Sequence, residues 1–143
     1  MERDMEEHIG LMIHMADLEI TSYLKKRLAP MQLAPEQHLV IALLMRQEGL
    51  SQNEIAERLS KDKSGITRML ASLESKGFIR RTPSAGDRRS IEVYLTDEGR
   101  ALKANVEEIS SHMKQHLRAG FTAEETAELK RLLTKVRENV RKW

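Results

Sequence analysis

The spacing of apolar residues in this 143-residue chain changes between Gly77 and Thr96, and this change restricts the fold more than any other feature. On both sides of the interval, apolar residues recur every three or four positions, which predicts amphipathic helices. Inside it, residues 78–82 and 90–95 are rich in β-branched and aromatic side chains, which predicts two strands. Residues 83–89 between them are turn-rich and basic. We therefore expect a mainly α fold with one small β-hairpin.

Four helices are predicted before the hairpin. The first covers about residues 6–28, and the second begins at Pro35, where a missing N–H costs nothing, and stops at Gly49. Ser51 and Glu54 form a capping box that starts a short third helix. After a turn at residues 60–63, Asp62 caps the fourth helix. The apolar face of that helix consists of Ile66, Met69, Leu70 and Leu73.

Two helices are predicted after the hairpin. Thr96 caps one that reaches about Ala119, and Thr122 with Glu125 opens the last. The last helix carries a narrow apolar seam, which favours a coiled-coil-like contact between subunits over a stripe packed within one chain. We expect residues 34–96 to form a small central domain, flanked by residues 1–33 and 97–143, which pack together as dimerisation helices. The seam is formed by Leu129, Leu132, Leu133, Val136 and Val140.

Charge is distributed unevenly along the chain. The whole sequence has a formal net charge of +2. Residues 58–91 hold nine Lys or Arg and three Asp or Glu, so this segment carries +6 and the remainder −4. A basic segment in an otherwise acidic chain indicates a polyanionic partner for that segment alone.

Several classes of protein are excluded by residues that the sequence lacks. The absence of cysteine excludes a disulfide framework, a thiolate zinc site and a cysteine redox switch, and it suits a cytoplasmic protein. The N-terminal residues do not have the pattern of a signal peptide, and no apolar run approaches the roughly 18 residues of a membrane span. The sequence contains no glycine-rich phosphate loop, nucleophile elbow or H-E-x-x-H motif. We expect neither an enzyme nor a cofactor.

Two short helices joined by a tight turn and followed by a hairpin form a winged helix-turn-helix. The second helix of such a motif fits the major groove of DNA, which is about 12 Å wide. Arg68 is the one long side chain on its polar face that can donate two hydrogen bonds, while Lys63 and the helix N-terminus suit phosphate. We predict DNA contacts by Lys63, Ser64, Gly65, Thr67, Arg68 and Ser72.

The hairpin, or wing, supplies a second set of predicted DNA contacts. Arg88 or Arg89 can reach phosphates or a minor groove, and Gly86 is expected to let the tip turn. The competing interpretation of the helix face and the wing is an ordinary solvated surface with a turn-stabilising ion pair. Arg80 and Arg81 could likewise serve only to keep other strands from pairing with this edge.

The segment from Leu50 to Gly99 resembles the MarR family of bacterial and archaeal regulators. Three pieces carry the resemblance in order: LSQNEIAERL, then KDKSGITRMLASLESKGFIRR, then Asp87-Arg88-Arg89-Ser90 leading to YLTDEG. The long first helix and the two terminal helices also fit, so the resemblance extends over nearly the whole chain.

This resemblance implies an obligate homodimer with interleaved terminal helices, a palindromic operator and an effector cleft between the dimer helices and the winged domain. It places Ser64, Thr67 and Arg68 at bases or phosphates. It places Arg89 in the wing contact with Asp87 holding it, and it supports Arg88 less strongly. The thiol-sensing branch of the family requires an N-terminal cysteine, which this chain lacks. The protein is expected to be a repressor that responds to a small aromatic or amphipathic molecule.

Two alternatives concern ligands and one concerns the partner. His112 and His116 have the i, i+4 spacing of a metal pair, and His38 could approach them, but a solvated surface is the preferred interpretation and we predict no metal site. Met5, Met12 and Met15 could line an effector cleft, although core and dimer packing is favoured. The sequence leaves two alternative functions open: a zinc-responsive regulator of the same fold, and a helical adaptor whose winged domain binds protein.

Overall fold

A computed structural model describes residues 8–59, 61–86 and 89–143 of the chain. The described part is mostly helical, with a single small sheet. In chain order the elements are α1 (Ile9–Leu28), a 3₁₀ turn (Ala29–Met31), α2 (Pro35–Arg46), β1 (Leu50–Ser51), α3 (Gln52–Arg58), α4 (Lys63–Ser75), β2 (Ile79–Pro83), β3 (Ile91–Leu95), α5 (Asp97–Ala101), α6 (Lys103–Arg118) and α7 (Ala123–Arg141). The predicted fold class, a winged helix-turn-helix with long helices at both ends, is confirmed.

The chain divides into two compact units, Met1–Glu107 and Glu108–Trp143, and the division falls within α6. The first unit has a well-packed apolar core, and each fully buried Leu or Ile in such a core contributes about 1.5–3 kcal/mol. The second unit holds the rest of α6 and all of α7. The core of the first unit includes Leu28, Ile41, Leu44, Leu50, Ile55, Ile66, Leu70, Leu73, Ile79 and Val93.

The sheet has three antiparallel strands in the order β1-β3-β2. Strands β2 and β3 form the predicted hairpin, in register from Ile79 opposite Leu95 to Pro83 opposite Ile91. Strand β1 pairs Leu50 with Val93 on the other edge of β3. The hairpin is therefore anchored to the residues that precede α3, which gives the wing a fixed base.

The expected start of the first helix, at about residue 6, lies outside the described residues; the other predicted helix starts agree with the structure, but several ends do not. The capping boxes of α3 and α7 and the Asp62 cap of α4 are all formed. The second helix ends at Arg46 rather than at Gly49, because the backbone of Gln47 is already extended. Gly49, with a φ of 79°, then directs the chain into β1. The single helix expected from Thr96 to about Ala119 is interrupted at Leu102, whose N–H donates to the Gly99 carbonyl in a tighter turn.

Candidate nucleic-acid interface

Helix α4 presents a polar face because its apolar face packs into the core. Ile66, Leu70 and Leu73 are buried and Met69 is half-buried, as the periodicity predicted. Helices α3 and α4 contact each other, with Ile55 among the buried residues of α3. Burial on one side fixes the rotation of α4 about its axis and therefore decides which side chains face outward.

The outward face of α4 is a stripe of small side chains around one arginine. Lys63, Ser64, Thr67 and Arg68 are exposed, as predicted. Ala71 and Ser75 are exposed as well, and the sequence analysis missed them although Ser64, Arg68, Ala71 and Ser75 follow i, i+4, i+7, i+11 spacing. Small side chains allow the helix axis to approach a groove floor closely, and Arg68 can then reach further than its neighbours.

The first turn of α4 already satisfies several of its own polar groups. The Asp62 carboxylate accepts hydrogen bonds from the Ser64 hydroxyl at 2.8 Å and from the Gly65 N–H at 3.2 Å. The Ser64 hydroxyl lowers the pKa of Asp62, and the Gly65 N–H and the charge of Arg68 lower it further. The Thr67 hydroxyl donates to the Lys63 carbonyl at 2.8 Å. A phosphate at this helix end would meet a carboxylate, so the Lys63 side chain is the better phosphate ligand there.

Two residues predicted to contact DNA lie off the exposed face. Gly65 is half-buried, and a Cβ at that position would lie 2.5 Å from Asp62 Oδ1, so its place in the sequence is explained by the cap. Ser72 is half-buried, and its hydroxyl accepts a hydrogen bond from Gln37 Nε2 at 3.0 Å. Both lie at the margins of the polar face, where the neighbouring elements decide exposure, and their contact with DNA stays a prediction.

Two lysines of the basic segment are bound within the protein. Lys61 pairs with Glu36. Lys76 Nζ donates to the Gln32 carbonyl at 2.6 Å and to Gln37 Oε1 at 2.8 Å. Glu36 therefore offsets the charge of Lys61, whereas Lys76 binds uncharged groups and stays exposed.

Arg81 joins strand β2 to both helices of the helix-turn-helix. Its guanidinium donates to Glu74 Oε1 and to Gln52 Oε1, each at 3.2 Å, and its backbone N–H donates to Glu74 Oε2 at 3.0 Å. The Arg81 bond lowers the pKa of the Glu74 carboxyl. Arg80 lies over the ring of Tyr94, 4.6 Å from its centroid. The interpretation of Arg81 as an edge guard alone is therefore wrong, since it sets the position of the wing base relative to α4.

The structure describes most of the wing. Below its tip, the Ser84 N–H donates to the Ser90 carbonyl at 2.8 Å, and Arg89 is exposed. Asp87 and Arg88, both predicted DNA-contact residues, lie outside the described residues. Gly86 does not adopt a left-handed φ, and its expected role in the turn stays a prediction.

The histidines considered for a metal site are spread over the two compact units. His38 is buried in the first unit, where burial lowers its pKa and a bond with the Val106 backbone partly opposes this. His112 and His116 lie on α6 in the second unit, with ring centroids 6.0 Å apart. In residues 8–59, 61–86 and 89–143, no three His, Asp or Glu side chains are grouped as a metal site requires. The prediction of no metal site remains a prediction.

The dimensions of a lipid bilayer set a minimum length and apolar character for a helix that crosses it. Among the described residues, no helix is both long enough and apolar enough to cross one.

Known proteins similar to this chain share both its sequence and its fold. A sequence model of the MarR family matches residues 31–90, which include α2, the helix-turn-helix and β2. The multiple antibiotic resistance protein MarR of Escherichia coli is 31% identical over 129 residues, covering 90% of each protein.

Solved structures of similar proteins include complexes with DNA. A mutant E. coli MarR complexed with operator DNA has a TM-score of 0.82 and 32% identity, covering 90% of this chain and 92% of that one. The S. aureus MepR–DNA complex has a TM-score of 0.87 and 27% identity, covering 94% of this chain and 98% of that one. Together with the exposed face of α4 and the wing beside it, these similarities identify the chain as a member of the MarR family of winged-helix, DNA-binding transcription regulators.

Proposed function

We propose that this regulator is a ligand-responsive repressor that acts in the cytoplasm as a homodimer on a palindromic operator. The exposed face of α4 is the observation that carries the proposal. Its small side chains around Arg68 suit a major groove, while Arg81 and Gln52 hold the wing base in place beside it. A single winged domain buries roughly 600–1,000 Å² on DNA, and two copies give the area of a specific complex.

Support for a homodimer comes from apolar surface that one chain leaves uncovered. In α1 only Leu28 is buried, and in α7, all of whose residues are described, none is buried. Helices with so little burial gain little stability from packing in a single chain, since helical propensity alone is marginal in water. A second copy that covers both faces would supply that packing. The uncovered apolar residues include Ile9, Met12, Met15 and Leu18 of α1 and Leu129, Leu132, Leu133 and Val140 of α7.

The proposed contacts divide into base recognition and phosphate anchoring. Arg68 donates two hydrogen bonds to a guanine edge, while Thr67 and Ser64 approach neighbouring bases or phosphates. Lys63 and the wing residue Arg89 bind phosphates or the minor groove. In a dimer the two α4 helices would lie about 34 Å apart, one turn of DNA, so the operator should be palindromic.

The response to an effector follows from that spacing. A small molecule that binds more tightly to a dimer with a different α4 separation shifts the population away from the DNA-binding form. A change from mostly bound to mostly released requires about 10⁴-fold tighter binding to the second form. We therefore propose a partner molecule with strong preference between the two forms.

The test begins with duplexes enriched by the purified protein from random-sequence DNA. We expect a palindromic consensus, steep loss of affinity with salt through counterion release, and a species of twice the 16.5 kDa chain mass in sedimentation at micromolar concentration. A stable folded monomer would refute the dimer and the palindrome together. Salt-insensitive binding to a protein partner would favour the adaptor, and zinc-dependent affinity for DNA would favour a metal-responsive regulator.

A further inference from the structure

A buried amide joins helix α4 to the junction between α1 and α2. Gln37, in the first turn of α2, is only 7% exposed. Its Oε1 accepts hydrogen bonds from Lys76 Nζ at 2.8 Å and from the Ala34 N–H at 3.1 Å. Its Nε2 donates to Ser72 Oγ at 3.0 Å. One side chain therefore binds two residues at the C-terminal end of α4 and closes the start of its own helix.

Lys76 extends this connection to the end of α1. Its Nζ also donates to the carbonyl of Gln32 at 2.6 Å. Gln32 follows the 3₁₀ turn after α1 and has a left-handed backbone, with a φ of 58°. The four residues Gln32, Gln37, Ser72 and Lys76 are called the Gln37 clasp below. The clasp ties the C-terminal end of α4 to the residues through which α1 leads into α2.

A glutamine suits this position for a chemical reason. The amide both accepts and donates, so it satisfies a lysine, a backbone N–H and a serine hydroxyl at once. A buried polar group that loses its partners costs more than an apolar side chain of the same shape, and such networks favour one arrangement over its neighbours. The clasp therefore limits how far the C-terminal end of α4 can rotate or slide.

We propose that Gln37 is a positioning residue for DNA recognition, which it serves by fixing α4 through the clasp without contacting DNA. This inference rests on the proposed function, because it explains how Arg68, about two turns before Lys76 in the chain, is aimed. It also gives Ser72 and Lys76 a role in holding the helix-turn-helix rather than in contacting DNA. Loss of the clasp should impair discrimination between DNA sequences more than general attraction to DNA.

Lys76 offers the sharpest test, because the rival role for a lysine in this segment is to bind a phosphate. If Lys76 binds a phosphate, Lys76→Met should weaken binding to all sequences and reduce the slope of log affinity against log salt by about 1. If Lys76 acts through the clasp, Lys76→Met should leave that slope unchanged and reduce the preference for the enriched duplex over a scrambled one by about 10-fold, as one mismatched base pair does. The two hypotheses thus differ in the salt slope and in the preference.

Gln37 is tested with three matched variants. Gln37→Leu should lower the preference by a similar factor and speed amide hydrogen exchange in the last two turns of α4. Gln37→Glu should keep most of the sequence preference and the slow hydrogen exchange of the wild type. A carboxylate still accepts from Lys76 and Ala34 and can accept from the Ser72 hydroxyl. Gln47→Leu, the same change at an exposed position after α2, should leave both unchanged. Thermal melting checks that each variant is folded, and Lys76→Met provides the test if Gln37→Leu is not.

Three results would overturn the clasp: a reduced salt slope for Lys76→Met, unchanged preference in the folded variants, or unchanged hydrogen exchange in α4. Failure of the proposed function would be distinct from these. In that case the wild-type protein would enrich no DNA sequence. Hydrogen exchange in α4 is measured without DNA, so it would still test the clasp.

Discussion

The backbone of Gly99 packs directly on the carbonyl oxygen of Phe78, so closely that a Cβ on Gly99 would lie 2.1 Å from that oxygen. The same carbonyl accepts a hydrogen bond from the Thr96 N–H at 3.0 Å. Thr96 Oγ1 donates to the Gly77 carbonyl and accepts from the Gly99 N–H at 3.1 Å. These contacts fix the start of α5 against the chain that leaves α4 and enters β2.

We expect Gly99→Ala to destabilise the folded protein strongly. Backbone atoms cannot swing aside as a side chain can, so the added methyl must separate α5 from residue 78, at a cost of roughly 3 kcal/mol. Urea denaturation followed by circular dichroism would measure the loss in free energy of unfolding. Gly86→Ala is the control, since a Cβ there has no described neighbour within 4 Å. Equal midpoints for the two variants would contradict the close packing.

Arg68→Ala should weaken binding to the enriched duplex more than to scrambled DNA. Two hydrogen bonds to a guanine edge contribute about 1–3 kcal/mol of discrimination, which scrambled DNA does not offer. Fluorescence anisotropy at fixed salt would compare both duplexes. Lys63→Ala is the matched control and should weaken both equally. Equal losses on both duplexes for Arg68→Ala would make Arg68 a phosphate ligand.

For the wing, we predict the direction in which DNA affinity changes when Asp87 is replaced. If Asp87 orders Arg89 in advance, Asp87→Ala should weaken DNA binding even though it removes a negative charge near DNA. An arginine that is ordered before binding loses less side-chain entropy when it meets DNA, and this strengthens binding by at most about 2 kcal/mol. Both single variants should bind more weakly, and the double variant should be little worse than Arg89→Ala. Tighter binding by Asp87→Ala, or fully additive losses, would reject preorganisation and leave a diffuse basic patch.

His38 should make stability depend on pH below the ordinary pKa of histidine. Burial lowers its pKa in the folded protein, so below the ordinary value of 6.5 the unfolded chain takes up a proton more readily than the folded one. The contribution of His38 to the free energy of unfolding should therefore be present in full above pH 6.5. It should decrease as the pH is lowered from there, by at most about 1.4 kcal/mol per pH unit.

Comparing urea denaturation at about pH 7.5 and about pH 5, on either side of that ordinary value, would test this dependence. His38→Gln should flatten the difference, because it removes the buried imidazole. A His38→Gln protein with the full wild-type pH dependence would show that another group is responsible.

Much of the fold was predictable because local signals and burial agree. Ile66, Leu70 and Leu73 mark one face of α4, Asp62 marks its start, and alternating Ile91, Val93 and Leu95 mark β3. Strand β1 could not be predicted in the same way. It is two residues long, and it exists only because Leu50 and Ser51 meet the open edge of β3, which is about 40 positions away in the chain.

For the candidate site, local patterns were enough to predict the helix that faces outward, the arginine on it and the basic wing beside it. These features follow from periodicity and residue type, which act over a few neighbouring positions. The packing of distant elements, by contrast, gives Lys61, Lys76 and Arg81 partners within the protein and brings Ser72 to Gln37. The side-chain partners of these residues lie between 7 and 39 positions away. A charged or polar residue at the margin of a helix takes its role from whichever element folds against it, and helical spacing carries no information about that element.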